Sequence, residues 1–495
     1  MLVKGRTVLL LVALAIVGSS LATMLFASSA DGGMSLPALD QVADRQGAGQ
    51  PQHSSVTPDV EEQFNKIIEA YEIIRGNYVL EVDETKLLEG AIEGMLNTLD
   101  DPYSVYMDPE TAEQFKSSLQ SSFEGIGAEV MMQNGKVTIV APIRGAPAEK
   151  AGLRPNDQIL SVNGESLDGI DLQRAVLKIK GPKGTEAVLE VERPGVAEPI
   201  TITVIRDEIP LHTVYSETIQ AEGKTLGLIE LTSFAQKTAE DFKTALTELE
   251  GQNMDGLIID VRGNPGGYLD AVREIGKLIV PNEAVITKIQ NRDGDKLGVY
   301  RSTLKDPKPY PITILVDEGS ASASEILAAA LQEAGHYKVV GTKSFGKGTV
   351  QSSVELKDSS EIKITIAKWL TPDENWVHGE GVQPDIVVER PEYFSATPIQ
   401  TEEELTLNMN DNNVKSLQIM LKGLGYDPGR TDGYFDEQTQ QAVQQYQTAN
   451  QLTSTGSVNE ETAQLIQEQL IEQMRDPQHD VQLKKAVETL LEEMN

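Results

Sequence analysis

There is no cysteine in this chain of 495 residues, so disulfides and thiol chemistry are excluded outright. Histidine is scarce. The five that occur (His53, His212, His336, His378 and His479) are scattered, with no H-E-x-x-H pair, which argues against a zinc peptidase. Each reads as a surface or locally satisfied side chain, and no motif asks for a metal or a cofactor. Positive charge is also short: 42 Lys and Arg stand against 76 Asp and Glu, for a formal charge of −34. That balance argues against nucleic acid as a partner. Excess acid keeps a protein soluble and can hold loose cations without a defined site.

What is present fits several globular domains, since the length allows more than one core and 39% of residues are hydrophobic. Lys4 and Arg6 precede an uncharged apolar run from Val8 to Ala27. That run is long for a cleaved signal and about right for a single membrane span of roughly 20 residues. The positive flank leaves the N-terminus in the cytoplasm and the bulk outside. Ser28-Ser-Ala30 offers a small-residue cleavage site, so an anchored and a secreted form both stand. Residues 31–56, rich in Gly, Ser, Gln and Pro, read as a flexible tether.

The chemistry-bearing stretch is Gly319-Ser-Ala-Ser-Ala-Ser-Glu-Ile326, followed by Phe345-Gly-Lys-Gly-Thr-Val-Gln351. A serine at a helix opening lies beside unpaired backbone N–H groups that can hold an oxyanion. A desolvated lysine can be neutral near neutral pH and take the serine proton. Ser322 and Glu325 also fit a capping box, which explains the serine without catalysis. Ser320 and Ser324 compete with Ser322 by position. Gly341 to Lys347 matches the first seven positions of a phosphate-binding loop, but Gly348 stands where Ser or Thr must hold magnesium. The alternation that follows, Thr349 to Leu356, reads as a strand where that loop needs a helix.

At these residues, and through Gly256-Leu-Ile-Ile-Asp-Val-Arg-Gly-Asn-Pro-Gly-Gly267, the sequence resembles the C-terminal processing peptidases, also called tail-specific proteases. The resemblance covers roughly residues 57–395. It implies that Ser322 is the nucleophile, Lys347 the general base and Gln351 the residue that orients the lysine. It also implies protein or peptide substrates cut near an apolar C-terminus. Glu333 falls where some relatives carry an acidic residue. Gln351 can accept from an amine without adding charge, whereas an Asp would raise the lysine pKa. Thr349 shares the lysine's face if the strand is regular from Lys347 onward. Asn264-Pro-Gly266-Gly267 lies just past a strand, so Gly266 N–H and Ala323 N–H are the candidate oxyanion donors; an ordinary strand-to-helix turn is the alternative.

Ahead of the core, Phe123-Glu-Gly-Ile-Gly-Ala128, Gly145-Ala-Pro-Ala-Glu-Lys-Ala-Gly152 and Asp157-Gln-Ile-Leu-Ser-Val-Asn-Gly164 occur in the order of a PDZ domain, which they resemble. Gly125 and Gly127 free a turn whose N–H groups can cradle a peptide carboxylate. Ile126, Ala128, Leu172 and Val176 are the candidate lining of an apolar pocket. From Leu226 strands and helices alternate, which predicts a core with a buried, largely parallel sheet; Thr238 is a candidate N-cap. By resemblance this is the Clp-protease/crotonase-like arrangement. At the C-terminal end Asp432, Gly433, Phe435, Thr439, Val443 and Tyr446 match the pattern of a three-helix peptidoglycan-binding domain. A plain helical bundle is the alternative.

The expected fold class is therefore α+β and multidomain. Its parts are a signal or anchor (1–30), linker (31–56), N-terminal helical region (57–111), PDZ domain (112–208), protease core (209–396), linker (397–412), peptidoglycan-binding-like module (413–470) and helical tail (471–495) of unspecified docking. The N-terminal helices belong to the protease body or mediate a homodimer in relatives. The expected function is an exported serine endopeptidase whose PDZ domain reads substrate tails, held near peptidoglycan and membrane. A catalytically inactive PDZ and cell-wall scaffold is the alternative.

Overall fold

The structure is a computed structural model that describes residues 24–25 and 58–495, except 121, 134, 144, 171, 195, 197, 400–402 and 495. The central element is a six-stranded sheet, in spatial order 214–221, 224–231, 256–260, 312–316, 338–341 and 386–387. Only the first pair is antiparallel. Gly256–Asp260 and Ile312–Val316 are buried at every position. Their unbroken apolar runs follow from that, because a parallel strand is covered on both faces.

Helices Thr238–Gly251, Leu269–Ile279 and Ala323–Ala329 place Phe242, Leu246, Val272, Ile275 and Ile326 against Ile229, Ile259 and Ile314. The alternate residues Leu228, Ile258, Leu315 and Val340 point the other way. They are covered by Leu483, Ala486 and Leu490 of the last helix, Val481–Met494. The tail thus returns past the third module to close the sheet's second face.

A second, antiparallel sheet carries Thr349–Glu355, Glu361–Leu370, Val285–Gln290 and Lys296–Arg301. Val105–Met107 pairs with residues 361–363 of this sheet, so the N-terminal region reaches the protease core. Ser122–Gly125 and Asp207–Pro210 pair antiparallel, bringing together the points where the chain enters and leaves a separate unit built on a six-stranded sheet. That unit has its own core, including Val137, Ile139, Ile159, Leu189 and Val204.

The third body has three helices, Asn412–Gly423, Glu437–Ala449 and Glu460–Arg475. They open on the capping side chains Asp411, Asp436 and Asn459. The segment read as a linker is tied down, because Ile399 is buried in this module and Leu405 bridges Val458.

Several local expectations change. Lys237, not Thr238, precedes the helix; Thr238 Oγ1 instead accepts from Ala235 N–H (2.9 Å) and shares a 2.6 Å hydrogen bond with Thr213. The helix after Ser322 is α only to Ala329 and continues as a π turn, Ala330–Ala334. In the N-terminal helix Pro58–Asn77, the periodic apolar residues Phe64, Ile67, Ile68 and Ile74 are exposed rather than covered. Of the Val8–Ala27 anchor or signal only Met24 and Leu25 lie within the described residues. Among the described residues no helix is long and apolar enough to cross a membrane.

Candidate active site

Ser322 stands where the strand Ile312–Val316 gives way, after a short loop, to the helix Ala323–Ala329. Its φ of 57° and ψ of −109° are strained for a residue with a Cβ, as at sites where surrounding structure enforces the turn. The loop is held by its neighbours. Ser320 Oγ donates to Val261 O (2.8 Å) and accepts from Asp317 N–H (3.0 Å), while Ser324 Oγ donates to Asn264 O (2.8 Å). Ala321 N–H also donates to Asn264 O, at 3.0 Å. Both flanking serines are tied to a neighbouring strand end, whereas the Ser322 side chain takes part in the helix's capping box with Glu325.

Glu325 does more than cap. Its buried carboxylate accepts from Ser322 N–H (2.8 Å), Ser344 Oγ (2.6 Å), Gly346 N–H (2.7 Å) and Lys347 N–H (2.8 Å). One side chain thus joins the serine loop to the lysine loop. Burial pushes its pKa up, and the four donors pull it back. Sequence reasoning took it only as a cap; the available signal was a lone charge in the otherwise apolar Ala-Ser-Glu-Ile-Leu-Ala-Ala.

Lys347 is 2% exposed, and its Nζ has no hydrogen-bond partner among the described residues. Desolvation first, and the Lys363 charge second, lower its pKa to about 7, against the opposing pull of Asp101 and Glu325. Its main-chain oxygen accepts from Trp369 Nε1 at 2.8 Å. Gln351 is fully buried, with Nε2 donating to Thr349 Oγ1 (2.8 Å) and Thr365 Oγ1 (3.2 Å). Its Oε1 is also buried without a partner.

Lys347 Nζ and Gln351 Oε1 thus bond neither to each other nor to Ser322 in this structure. The regular-strand expectation fails as well. The strand begins at Thr349 and carries an irregularity between Val350 and Gln351, so Thr349 serves Gln351 rather than the lysine.

Gly266 packs directly on the serine loop: a Cβ there would lie 2.8 Å from Ala321 O and 2.9 Å from Ser322 Cβ, at a φ of 102°. Only glycine fits that approach. Its N–H, however, donates to Asn264 Oδ1 at 2.9 Å. As an oxyanion donor Gly266 must exchange that partner for substrate. Asn264, fully buried and donating to Leu231 O (2.8 Å), is a further residue that sequence reading passed over. Ala323 N–H lies beside Ser322 at the helix start. Glu333 is remote from this chemistry, accepting instead from Asp373 N–H (2.8 Å) and Asn375 Nδ2 (3.0 Å). Among the described residues no group of three or more His, Asp or Glu could hold a metal ion.

The other named residues divide between surface and interior. Gly125 pairs with Asp207 in the two-stranded entry to the six-stranded unit, and Gly127 has a φ of 72° with Ala146 Cβ only 2.5 Å from where its own would stand. Ile126 does not line an open pocket but is buried in the unit's core at 3% exposure. Ala128 and Leu172 are half-buried against that core, and Val176 is half-buried on the helix Leu172–Ile179.

In the C-terminal module Phe435, Thr439 and Tyr446 are fully buried. Gly433 N–H donates inward to Gln418 Oε1 at 3.0 Å. These residues build the interior of the module, so the pattern that marks the family here is a pattern of its core. Asp432 alone is exposed, paired with Arg430 through a 2.7 Å hydrogen bond.

Residues 225–388 match the family model described as peptidase family S41, and residues 23–111 match the activating protease CtpB N-terminal domain. Residues 138–193 match a PDZ domain and 410–466 a peptidoglycan binding domain. The carboxy-terminal processing protease CtpB of Bacillus subtilis (strain 168) is 50% identical over 90% of this chain and 92% of its own. Carboxy-terminal processing protease CtpA of the same organism is 40% identical, over 90% and 93%. A solved photosystem II D1 C-terminal processing protease is 27% identical over 65% of this chain and 92% of that one, with a TM-score of 0.40.

Proposed function

The chain belongs to peptidase family S41 and is a serine-type carboxy-terminal processing protease, and from that premise we propose that Ser322, Lys347 and Gln351 perform the cleavage. The observation that carries this reading is the buried Lys347 amine, whose pKa near 7 leaves it able to accept a proton at neutral pH. Lys347 Nζ takes the proton of Ser322 Oγ as the oxygen attacks the scissile carbonyl. Ala323 N–H and Gly266 N–H hold the resulting oxyanion. Collapse breaks the C–N bond, Lys347 returns its proton to the departing amine, and water then releases the acyl group from Ser322. Gln351 Oε1 accepts from the ammonium while it lasts.

In the present state Lys347 bonds neither Ser322 nor Gln351, and Asn264 occupies Gly266 N–H. These contacts must form when substrate arrives, as in other enzymes whose catalytic hydrogen bonds tighten only in the complex. The PDZ domain supplies the trigger by seating an apolar substrate tail beside Leu172 and Val176.

The rest of the chain places the enzyme outside the cytoplasm. A peptidoglycan-binding domain has its ligand there, and the apolar segment from Val8 to Ala27 anchors the chain in the membrane unless it is cleaved. The exposed stripe of Phe64, Ile67, Ile68 and Ile74 suits pairing with a second copy.

The test is cleavage of an unstructured protein ending in Ala or Val by the purified chain beside its Ser322→Ala variant. Activity in the parent alone is expected. Equal activity in both would overturn the assignment of the nucleophile. Tail reading is tested with Val176→Glu, which leaves the unit's core intact; an unchanged preference for apolar tails would defeat it. Gly127 is unsuited to that purpose, since any side chain there collides with Ala146.

A further inference from the structure

A lysine amine stays neutral only while water is kept from it, so what covers Lys347 matters as much as what surrounds it. On one side the cover is not part of the protease core. Tyr103, from the N-terminal region, lays its ring over the amine, with Nζ 4.8 Å from the ring centroid.

The turn that carries Tyr103 is firmly built. Asp101 Oδ1 accepts from Tyr103 N–H (3.0 Å), and Asp101 Oδ2 accepts from Ser104 Oγ (2.6 Å). Ser104 Oγ in turn accepts from Thr365 N–H at 3.0 Å. Thr365 Oγ1 is also a partner of Gln351, so the turn is bolted to the strand that backs the lysine. Val105 then pairs with Lys363 and continues the same sheet. His378 meets the Tyr103 ring edge-on, at 6.2 Å between centroids.

We propose that Tyr103 is a positioning residue that closes the Lys347 chamber against water, so that the N-terminal region completes the catalytic apparatus. The proposal rests on the reading of Lys347 as general base. The charged groups acting on the amine are Lys363, Asp101 and Glu325; Thr349 and Gln351 begin the strand that follows the lysine, and His378 lies beyond the tyrosine.

The ring has two opposed effects. As a cover it disfavours the ammonium, and as a π-face it favours it. Burial is the largest cause of the low pKa, so loss of the cover outweighs loss of the π-face and the pKa rises.

The titration of Lys347 is measured directly in the full chain carrying Ser322→Ala, by acylation with acetic anhydride across pH and quantification of the labelled peptide. In the Tyr103 parent the midpoint is expected at about pH 7. Tyr103→Ala is expected to raise it by about a unit, a roughly tenfold loss of neutral amine below that pH. Tyr103→Phe and Tyr103→Leu, which keep the cover, are expected to titrate like the parent; Leu also removes the π-face and so separates the two effects.

If thermal melting shows the alanine variant unfolded, Tyr103→Gln, of similar size but wettable, takes its place with the same expectation. A folded Ala or Gln variant with the parent's midpoint overturns the proposal, as does a Leu variant that shifts as far as Ala. The pH profile of kcat/KM in the Ser322 enzyme separates the underlying reading. A labelling midpoint that moves while the acid limb of activity does not would spare Tyr103 and refute Lys347 as the base.

Discussion

The two halves of the candidate site are built on opposite principles. Around Ser322, Ser320, Ser324, Asn264 and Glu325 are each held by defined hydrogen bonds to neighbouring loops. Around Lys347 two polar atoms, Lys347 Nζ and Gln351 Oε1, are buried with no hydrogen-bond partner among the described residues. Leaving buried polar groups unpaired costs about 1–3 kcal/mol each, so the strain of the lysine half is one of unmet desolvation, while that of the serine half lies in the Ser322 backbone. One half fixes where attack occurs; the other stays dry and unsatisfied until substrate completes it.

The sharpest way to break this contrast is at the reacting atoms. Ser322→Ala or Lys347→Ala is expected to lower kcat by about a thousandfold or more. Ser320→Ala and Ser324→Ala should instead cost about 1–2 kcal/mol of stability, with kcat changed far less. A Ser324→Ala enzyme as dead as Ser322→Ala would erase the distinction between tied and reactive serines.

Glu325 joins the halves, so its loss should damage both. Glu325→Ala orphans four donors and is expected to cost on the order of 3 kcal/mol of stability in urea unfolding, with activity lost alongside. A variant with parental stability would mean that the two loops hold themselves.

The lysine half can be relieved of its strain. Between its folded pKa of about 7 and the ordinary 10.5, the unfolded chain binds a proton that the folded chain does not. Stability therefore rises with pH through that window, and the penalty is fully present below it. Lys347→Met should stabilise the fold at neutral pH by on the order of 3 kcal/mol and abolish activity, with the gain fading toward the upper end of the window. Thermal melts across pH decide this. In the active enzyme, kcat/KM should climb with pH through about 7 as the amine loses its proton.

The smallest effect is expected far from either half. Arg262, nearly buried, pairs with Asp260 and with Asp480 just before the last helix (2.8 Å). Asp480→Asn should cost about 1 kcal/mol, since Asp260 still partners the arginine. An activity loss larger than that stability loss would tie the tail to catalysis.

Much of this was legible because it is local. Gly256–Asp260 and Ile312–Val316 announced themselves as unbroken apolar runs, and the serine turn with its glycine-flanked lysine announced a chemistry. The residues missed are those whose partners lie far along the chain. Asn264 acts on Gly266 locally but receives Ala321 and Ser324 from another strand end. Tyr103 meets a lysine more than two hundred residues away. Phe435, Thr439 and Tyr446 show a different limit: sequence pattern marks a family's interior as strongly as its binding surface, and only burial separates them.

By itself the sequence determined the family, the order of modules and the residue types able to carry acyl transfer, because motif spacing and periodicity are written in neighbouring residues. Tertiary structure decided that Ser320 and Ser324 are tied to a neighbouring strand end, that the last helix closes the core sheet, and that Lys347 is dry. Those outcomes depend on water exclusion and on hydrogen bonds between distant segments. A chain acquires both only when it folds.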